Sequence, residues 1–314
     1  PATILFPMTR FQKLALATTL ATFLLIAVGG FVRAAGAGLG CPDWPKCFDR
    51  WTPPTDISQL PPHIDPALFN FKLAWIEYIN RLIGLVIGFL IFTTAIIAWR
   101  DHRHQRRIFH PTVAALLLVA FQGWFGGQVV RYELDPRFVT VHLFVALVIV
   151  FLLLYATLNG FFAAPMPLRT LPARRRRLAL WTHIVIAVSL VQVVLGALVR
   201  GNIDLLIENM PQLARHLLLE EVGLLDYLHR DTGLLVWCAC WVVVWCARFD
   251  VPTLRRTTLL TALLATVQFS AGLGLAYLAL PPALQVVHIA CGSLLLGGLA
   301  TTALLATRLE LTSA

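Results

Sequence analysis

Eight long apolar runs constrain this chain more than any other feature. They cover about Leu14 to Val32, Leu73 to Trp99, Pro111 to Val130, Phe138 to Phe162, Leu178 to Val199, Leu225 to Cys246, Thr258 to Leu280 and Ala283 to Thr307. A helix needs about 20 apolar residues to cross the hydrocarbon layer. The runs are continuous, whereas barrel strands are short and alternate apolar with polar residues. Only 13% of the 314 residues are charged, against about 25% in soluble domains. A soluble fold of this size would lack polar surface, so the sequence predicts an all-α integral membrane protein with eight transmembrane helices. The lipid bilayer is its principal partner. Ala15 to Val32 lacks a convincing cleavage site and is read as a first span, not a secretory signal. A short surface helix is expected around Gln212 to Val222, and Pro53, Pro54, Pro61 and Pro62 keep the loop after the first span from forming a long helix.

The net charge of +9 raises the question of nucleic acid. Its distribution answers otherwise. Arg100, Arg103, Arg106 and Arg107 follow the second run. Arg169 and the Arg174 to Arg177 series follow the fourth, and Arg248, Arg255 and Arg256 follow the sixth. Arg10 and Lys13 precede the first. The other loops mix signs, as in Arg131, Glu133, Asp135 and Arg137. This asymmetry predicts a multi-pass protein with both termini and the arginine-rich loops in the cytoplasm, or in the matrix of an organelle. No surface that is both basic and aromatic points to nucleic acid.

The chain also repeats itself. EYINRLIG (Glu77 to Gly84) answers DYLHRDTG (Asp226 to Gly233). VTVH, ending at His142, answers LQVVH, ending at His288. GGFVR, ending at Arg33, answers GALVR, ending at Arg200. The three landmarks keep their order, which predicts two pseudo-symmetric four-helix bundles, residues 1–166 and 167–314. Both halves start on the same side, so the repeat is parallel and its axis runs along the membrane normal.

Within this frame His229 and His288 stand near the outer starts of two helices. Histidines inside a membrane are costly and usually functional. Two imidazoles facing each other across a bundle suit axial ligation of haem iron. The competing reading has both bonded to backbone carbonyls of neighbouring helices. Zinc lacks an evident third ligand. His142 and Asn80 hold the matching places in the first half, where an amide is a poor iron ligand and one face stays open. Asn80 also suits a hydrogen bond to a neighbouring helix. Glu77 shares a helix face with Asn80 and Arg81. It suits proton transfer or pairing with Arg81, and Asp226 and Arg230 repeat that spacing. Arg33, Arg131 and Arg200, at outer helix ends, suit haem propionates or simple snorkelling. Cys41 and Cys47, in CPDWPKC, lie on the oxidising side in a bacterium, where a disulfide is permitted. It would serve as a structural clamp or a redox relay. Cys238, Cys240, Cys246 and Cys291 read as packing.

Six segments together resemble the haem A synthase family: GGFVRAAGAGLGCPDWPKC, EYINR, QGWFGGQVVR, FVTVHL, DYLHR and QVVHIACG. The likeness runs along nearly the whole chain. It implies eight transmembrane helices in two halves and oxidation of a haem O methyl group to the formyl group of haem A, with water as oxygen source. It further implies that His229 and His288 ligate haem b in the C-terminal half. His142 would belong to the substrate-haem site of the N-terminal half, with Glu77 as its catalytic glutamate and Cys41 and Cys47 as the outer-loop pair. Many members carry histidine where this chain has Asn80. The implied setting is the bacterial inner (plasma) membrane. Expected partners are haem O synthase as substrate supplier, an unidentified electron acceptor, the cytochrome oxidase assembly machinery and, as an open expectation, a second copy of the chain. The alternatives are a membrane b-type cytochrome exchanging electrons with quinone, or a haem transporter or chaperone.

Overall fold

The computed structural model describes residues 7–162 and 171–308. Arg169 and the expected boundary between residues 166 and 167 fall outside the described residues. The protein is all-α. Its helices are α1 (Arg10–Ala34), α2 (Phe71–His102), α3 (Arg106–Arg131), α4 (Pro136–Phe161), α5 (Ala173–Asn209), the short α6 (Leu218–Val222), α7 (Leu224–Ala247), α8 (Pro252–Tyr277) and α9 (Pro282–Ala306). Eight of these, all but α6, are long and apolar enough to cross a membrane. The chain is an eight-span integral membrane protein. Large apolar side chains such as Leu20, Leu24, Leu85, Phe89 and Leu260 point outward, as a surface solvated by lipid requires.

Local chemistry sets the helix ends. Thr9 and Gln12 form a reciprocal capping box at the start of α1, which satisfies orphan amides there. Asn70 caps α2, and Asp135 caps α4 ahead of Pro136. Two helices outrun their apolar stretches. The arginine series read as loop instead opens α5, where Arg175 is buried and its guanidinium grips Asp250 at 2.7 Å. At its other end α5 continues past Val199 to Asn209, carrying Asp204. Polar pairing drives both extensions, and hydropathy is blind to it. The expected surface helix is confined to Leu218–Val222.

Helices α1, α2, α3 and α4 pack in a ring, each on the next and α4 back on α1. Helices α5, α7, α8 and α9 do the same. The rings meet through α1 on α9 and α4 on α5. Inside the first ring, hydroxyls link helices. Thr18 meets Thr94 at 3.0 Å, joining α1 to α2. Thr19 meets Thr157 at 3.0 Å, joining α1 to α4. Small side chains at these positions let the backbones approach closely. The second ring encloses an apolar core around Leu178, Val236, Val243, Leu254 and Leu299.

Candidate functional site

The ring order makes α7 and α9 diagonal, and likewise α2 and α4. His229 sits near the start of α7 and His288 near the start of α9. Their imidazole centroids are 6.3 Å apart, with 67° between ring planes. An imidazole nitrogen lies about 1 Å from its ring centre and bonds a metal at about 2 Å, which puts two opposed ligands about 6 Å apart, centre to centre. Ligands on one axis need not share a plane, so the 67° twist is no obstacle. The Nδ1 atoms of His229, His288 and His142 are all buried without a hydrogen-bond partner among the described residues. Buried nitrogens of this kind normally have one. The pair therefore fits a flat metal cofactor ligated on both faces.

A recurring frame holds these histidines, and sequence reading missed it. Gln192 on α5 donates to the His229 carbonyl at 2.7 Å. Gln122 on α3 donates to the His142 carbonyl at 2.8 Å. The amide nitrogen of Gln268 on α8 lies 3.2 Å from His288 Nε2. One turn after each glutamine is a glycine, and at Gly196 and Gly272 its missing side chain makes room for the imidazole. A Cβ at Gly196 would lie 2.8 Å from His229 Cε1, one at Gly272 3.2 Å from His288 Cε1, and one at Gly126 3.4 Å from His142 Cε1. The available signal was the spacing Gln-x-x-x-Gly in three helices.

In the first half, His142 lies along Phe125, with ring centroids 6.3 Å apart and nearly parallel planes. Asn80 Oδ1 is buried and has no partner among the described residues. Glu77 turns instead toward the Cys41–Cys47 loop. Its Oε2 accepts the Cys41 amide at 2.8 Å, and its Oε1 accepts the Arg81 Nε at 3.2 Å. Arg81 goes on to donate to the carbonyls of Asp43 at 2.9 Å and Lys46 at 2.8 Å. Cys41 and Cys47 form a disulfide. Asp43 braces the loop, accepting the amides of Phe48 and Asp49, both in left-handed conformation. Thus Glu77 and Arg81 fasten the disulfide loop to the face of α2 that carries Asn80. The indole of Trp44 from this loop lies where a Cβ on Gly127 would come within 2.8 Å of it, so the loop also reaches α3 beside Gly126.

The arginines divide. Arg33 and Arg200 both pair with Asp204, Arg200 at 2.7 Å, and Arg200 also donates to Gln285. Asp204 thus ties the C-terminal end of α1 to that of α5, and sequence reading did not single it out. Its spacing from Arg200 was legible as an i,i+4 pair; its contact with Arg33 was not. Arg131 is exposed and lines a cleft of about 610 Å³ between the disulfide loop and α3, together with Asp43, Trp44 and Glu133. Asp226 and Arg230 form an ion pair on α7. Among the described residues, no group of three His, Cys, Asp or Glu converges as a metal cluster.

Comparison with known proteins identifies the family. The family described as cytochrome oxidase assembly protein (COX15-CtaA) matches residues 12–300. The chain is similar to a haem A synthase of Sinorhizobium fredii, 27% identical over 88% of this chain and 84% of that protein. It is similar to one of Rickettsia prowazekii, 24% identical over 84% of this chain and 88% of that protein. A haem A synthase of Shewanella oneidensis is 32% identical, over 44% of this chain and 42% of that protein. That last match spans less than half the relative's length. The family match covers nearly the whole sequence, the fold has the eight spans expected, and the chain belongs to the haem A synthase family of cytochrome oxidase assembly proteins.

Proposed function

We propose that this protein is a haem A synthase that converts the methyl group of haem O to the formyl group of haem A in a bacterial plasma membrane. The observation that carries the reading is the His229–His288 pair, spaced for one metal ion and with buried nitrogens left unpartnered. These two residues would hold haem b, which supplies one-electron transfer when bound. Haem O, the substrate, would lie in the first half beside His142, with Asn80 across the bundle offering only a weak donor. A face without a strong protein ligand suits a molecule that must enter and leave. In the net reaction the methyl carbon loses hydrogen as protons and electrons and gains one oxygen from water. Glu77 is the proposed proton acceptor. It is the carboxylate nearest Asn80 along α2, and Arg81 and the Cys41 amide hold it in one orientation. Arg131, without a carboxylate partner among the described residues, is the arginine best placed to meet a propionate. Arg33 and Arg200 would do so only by sharing with Asp204.

The proposed partners follow from the chemistry. Haem O synthase supplies the substrate, an acceptor takes the electrons, and the oxidase assembly machinery takes the product. Both termini are proposed to be cytoplasmic. The test is extraction of the pigment from purified protein, combined with spectroscopy of His229→Ala and His288→Ala. Haem A or a hydroxylated intermediate in the wild type, with loss of the low-spin b-type signal in both variants, is the expected result. Haem B alone in the wild type favours a quinone-linked cytochrome or a haem carrier instead.

A further inference from the structure

Resting on the proposal that His142, His229 and His288 ligate haem iron, we propose that Gln122, Gln192 and Gln268 are positioning residues, each setting the place of one imidazole together with the glycine one turn after it. The frame occurs in three helix pairs. In α3/α4 and α5/α7 the glutamine amide holds the carbonyl of the histidine itself. In α8/α9 the amide lies 3.2 Å from the ring Nε2, and with its oxygen turned to that nitrogen it accepts Nε2–H and leaves Nδ1 for the metal. At Gly196 and Gly272 the missing side chain lets Cε1 of the imidazole lie against the glutamine's helix, and Gly126 stands at ordinary contact distance from His142 Cε1. In the two C-terminal pairs the fit is closed from the histidine's side as well. Gly233, one turn after His229, would bring a Cβ within 3.0 Å of Gln192 Nε2, and Gly292, one turn after His288, within 3.3 Å of Gln268 Nε2.

Glutamines in membrane helices also serve as general glue. The internal repeat separates the two roles. Aligning GGFVR on GALVR puts Leu25 opposite Gln192 and Gly29 opposite Gly196. The partner of α1 in this scheme is α2, the one ring position with asparagine in place of histidine. Thus glutamine is absent where histidine is absent, and a Cβ at Gly29 would meet no atom within 4 Å. Glue for helix packing alone has no reason to follow the ligand. A residue that orients the ligand does, because groups behind a metal-binding imidazole govern its direction and basicity.

The experiment uses the full-length, haem-loaded protein in detergent. Gln192→Met and Gln268→Met keep side-chain length and remove the hydrogen bond. Thr182→Val is the control, a buried hydroxyl on α5 that bonds only within its own helix. Low-spin electron paramagnetic resonance g-values and haem retained per folded protein are read. Both glutamine variants are expected to shift the g-values and weaken haem retention about tenfold or more, while Thr182→Val matches wild type. Wild-type g-values and retention in both glutamine variants overturn the proposal. A second arm adds the frame where it is missing, comparing Asn80→His with Asn80→His/Leu25→Gln. Additional low-spin haem is expected from the double variant, and an equal signal from both overturns the proposal. If His229→Ala and His288→Ala retain the full low-spin signal, the haem reading itself has failed. If they lose it while the glutamine variants match wild type, only the positioning role has failed.

Discussion

At the scale of single residues, clearance around the imidazoles makes graded expectations. Gly196→Ala forces its Cβ to 2.8 Å from His229 Cε1, closer than packed carbons tolerate, so the ring must leave its place. Gly126→Ala makes an ordinary contact at 3.4 Å, and Gly29→Ala meets nothing within 4 Å. Reduced-minus-oxidised spectra per folded protein should therefore show the C-terminal haem signal weakened in Gly196→Ala and unchanged in Gly29→Ala. Equal signals would remove the steric argument. Glu77 has two tasks that a single substitution can separate. Glu77→Gln keeps an oxygen for the Cys41 amide but loses the charge that faces Arg81. If Glu77 accepts a proton in the reaction, the variant should retain the C-terminal haem and the disulfide while haem A formation falls by about 100-fold, within the usual range for general acid–base catalysis. Haem extraction and mass analysis from equal folded protein decide this. Undiminished conversion would leave Glu77 as an anchor of the outer loop only.

Among the helices, magnitudes rank the polar contacts. The Arg175–Asp250 pair is nearly inaccessible, with side-chain exposures of 1% and 5%. Removing one partner of such a pair costs about 3–5 kcal/mol, because the remaining charge stays buried. Arg175→Met should accordingly lower thermal stability markedly, read as a drop in the unfolding temperature of detergent-solubilised protein. The Thr18–Thr94 bond between α1 and α2 is a smaller matter, since interhelical hydrogen bonds in membranes average about 0.6 kcal/mol. Thr18→Val should barely move that temperature. A larger loss from Thr18→Val than from Arg175→Met would mean that the start of α5 contributes little to the packing of the second ring.

For the whole molecule, the asymmetry of basic residues predicts which end of the bundle faces which compartment. The arginines of the α2–α3 turn, the start of α5 and the α7–α8 turn lie at the opposite end of the spans from the Cys41–Cys47 loop. A membrane-impermeant thiol reagent should reach this loop in intact cells after reduction, whereas labelling confined to inverted vesicles would reverse the orientation. The C-terminal ends of α1 and α5 share one carboxylate, Asp204, between Arg33 and Arg200. Both arginines close the repeated motifs, so the molecule joins its halves at equivalent points through a residue that belongs to only one of them.

Span number, helical class, the internal repeat and the histidines are readable along the chain. Hydrocarbon demands long uninterrupted apolar segments, and an imidazole among them stands out wherever it occurs. The frame around those histidines was only half legible. The Gln-x-x-x-Gly spacing is present in the sequence, yet nothing local says that Gln192 meets the carbonyl of His229, 37 residues away. The same limit hid the grip of Glu77 on Cys41, 36 residues before it, and that of Arg175 on Asp250 across 75 residues. The run containing Arg175 obeys the topological rule for a loop, and the burial of Arg175 depends on a carboxylate, Asp250, brought over from the α7–α8 turn. Local sequence determines which segments enter the membrane, since that is a transfer free energy summed over adjacent residues. Which polar atom meets which inside the bundle was decided by the tertiary structure, because those bonds exist only after distant helices have packed.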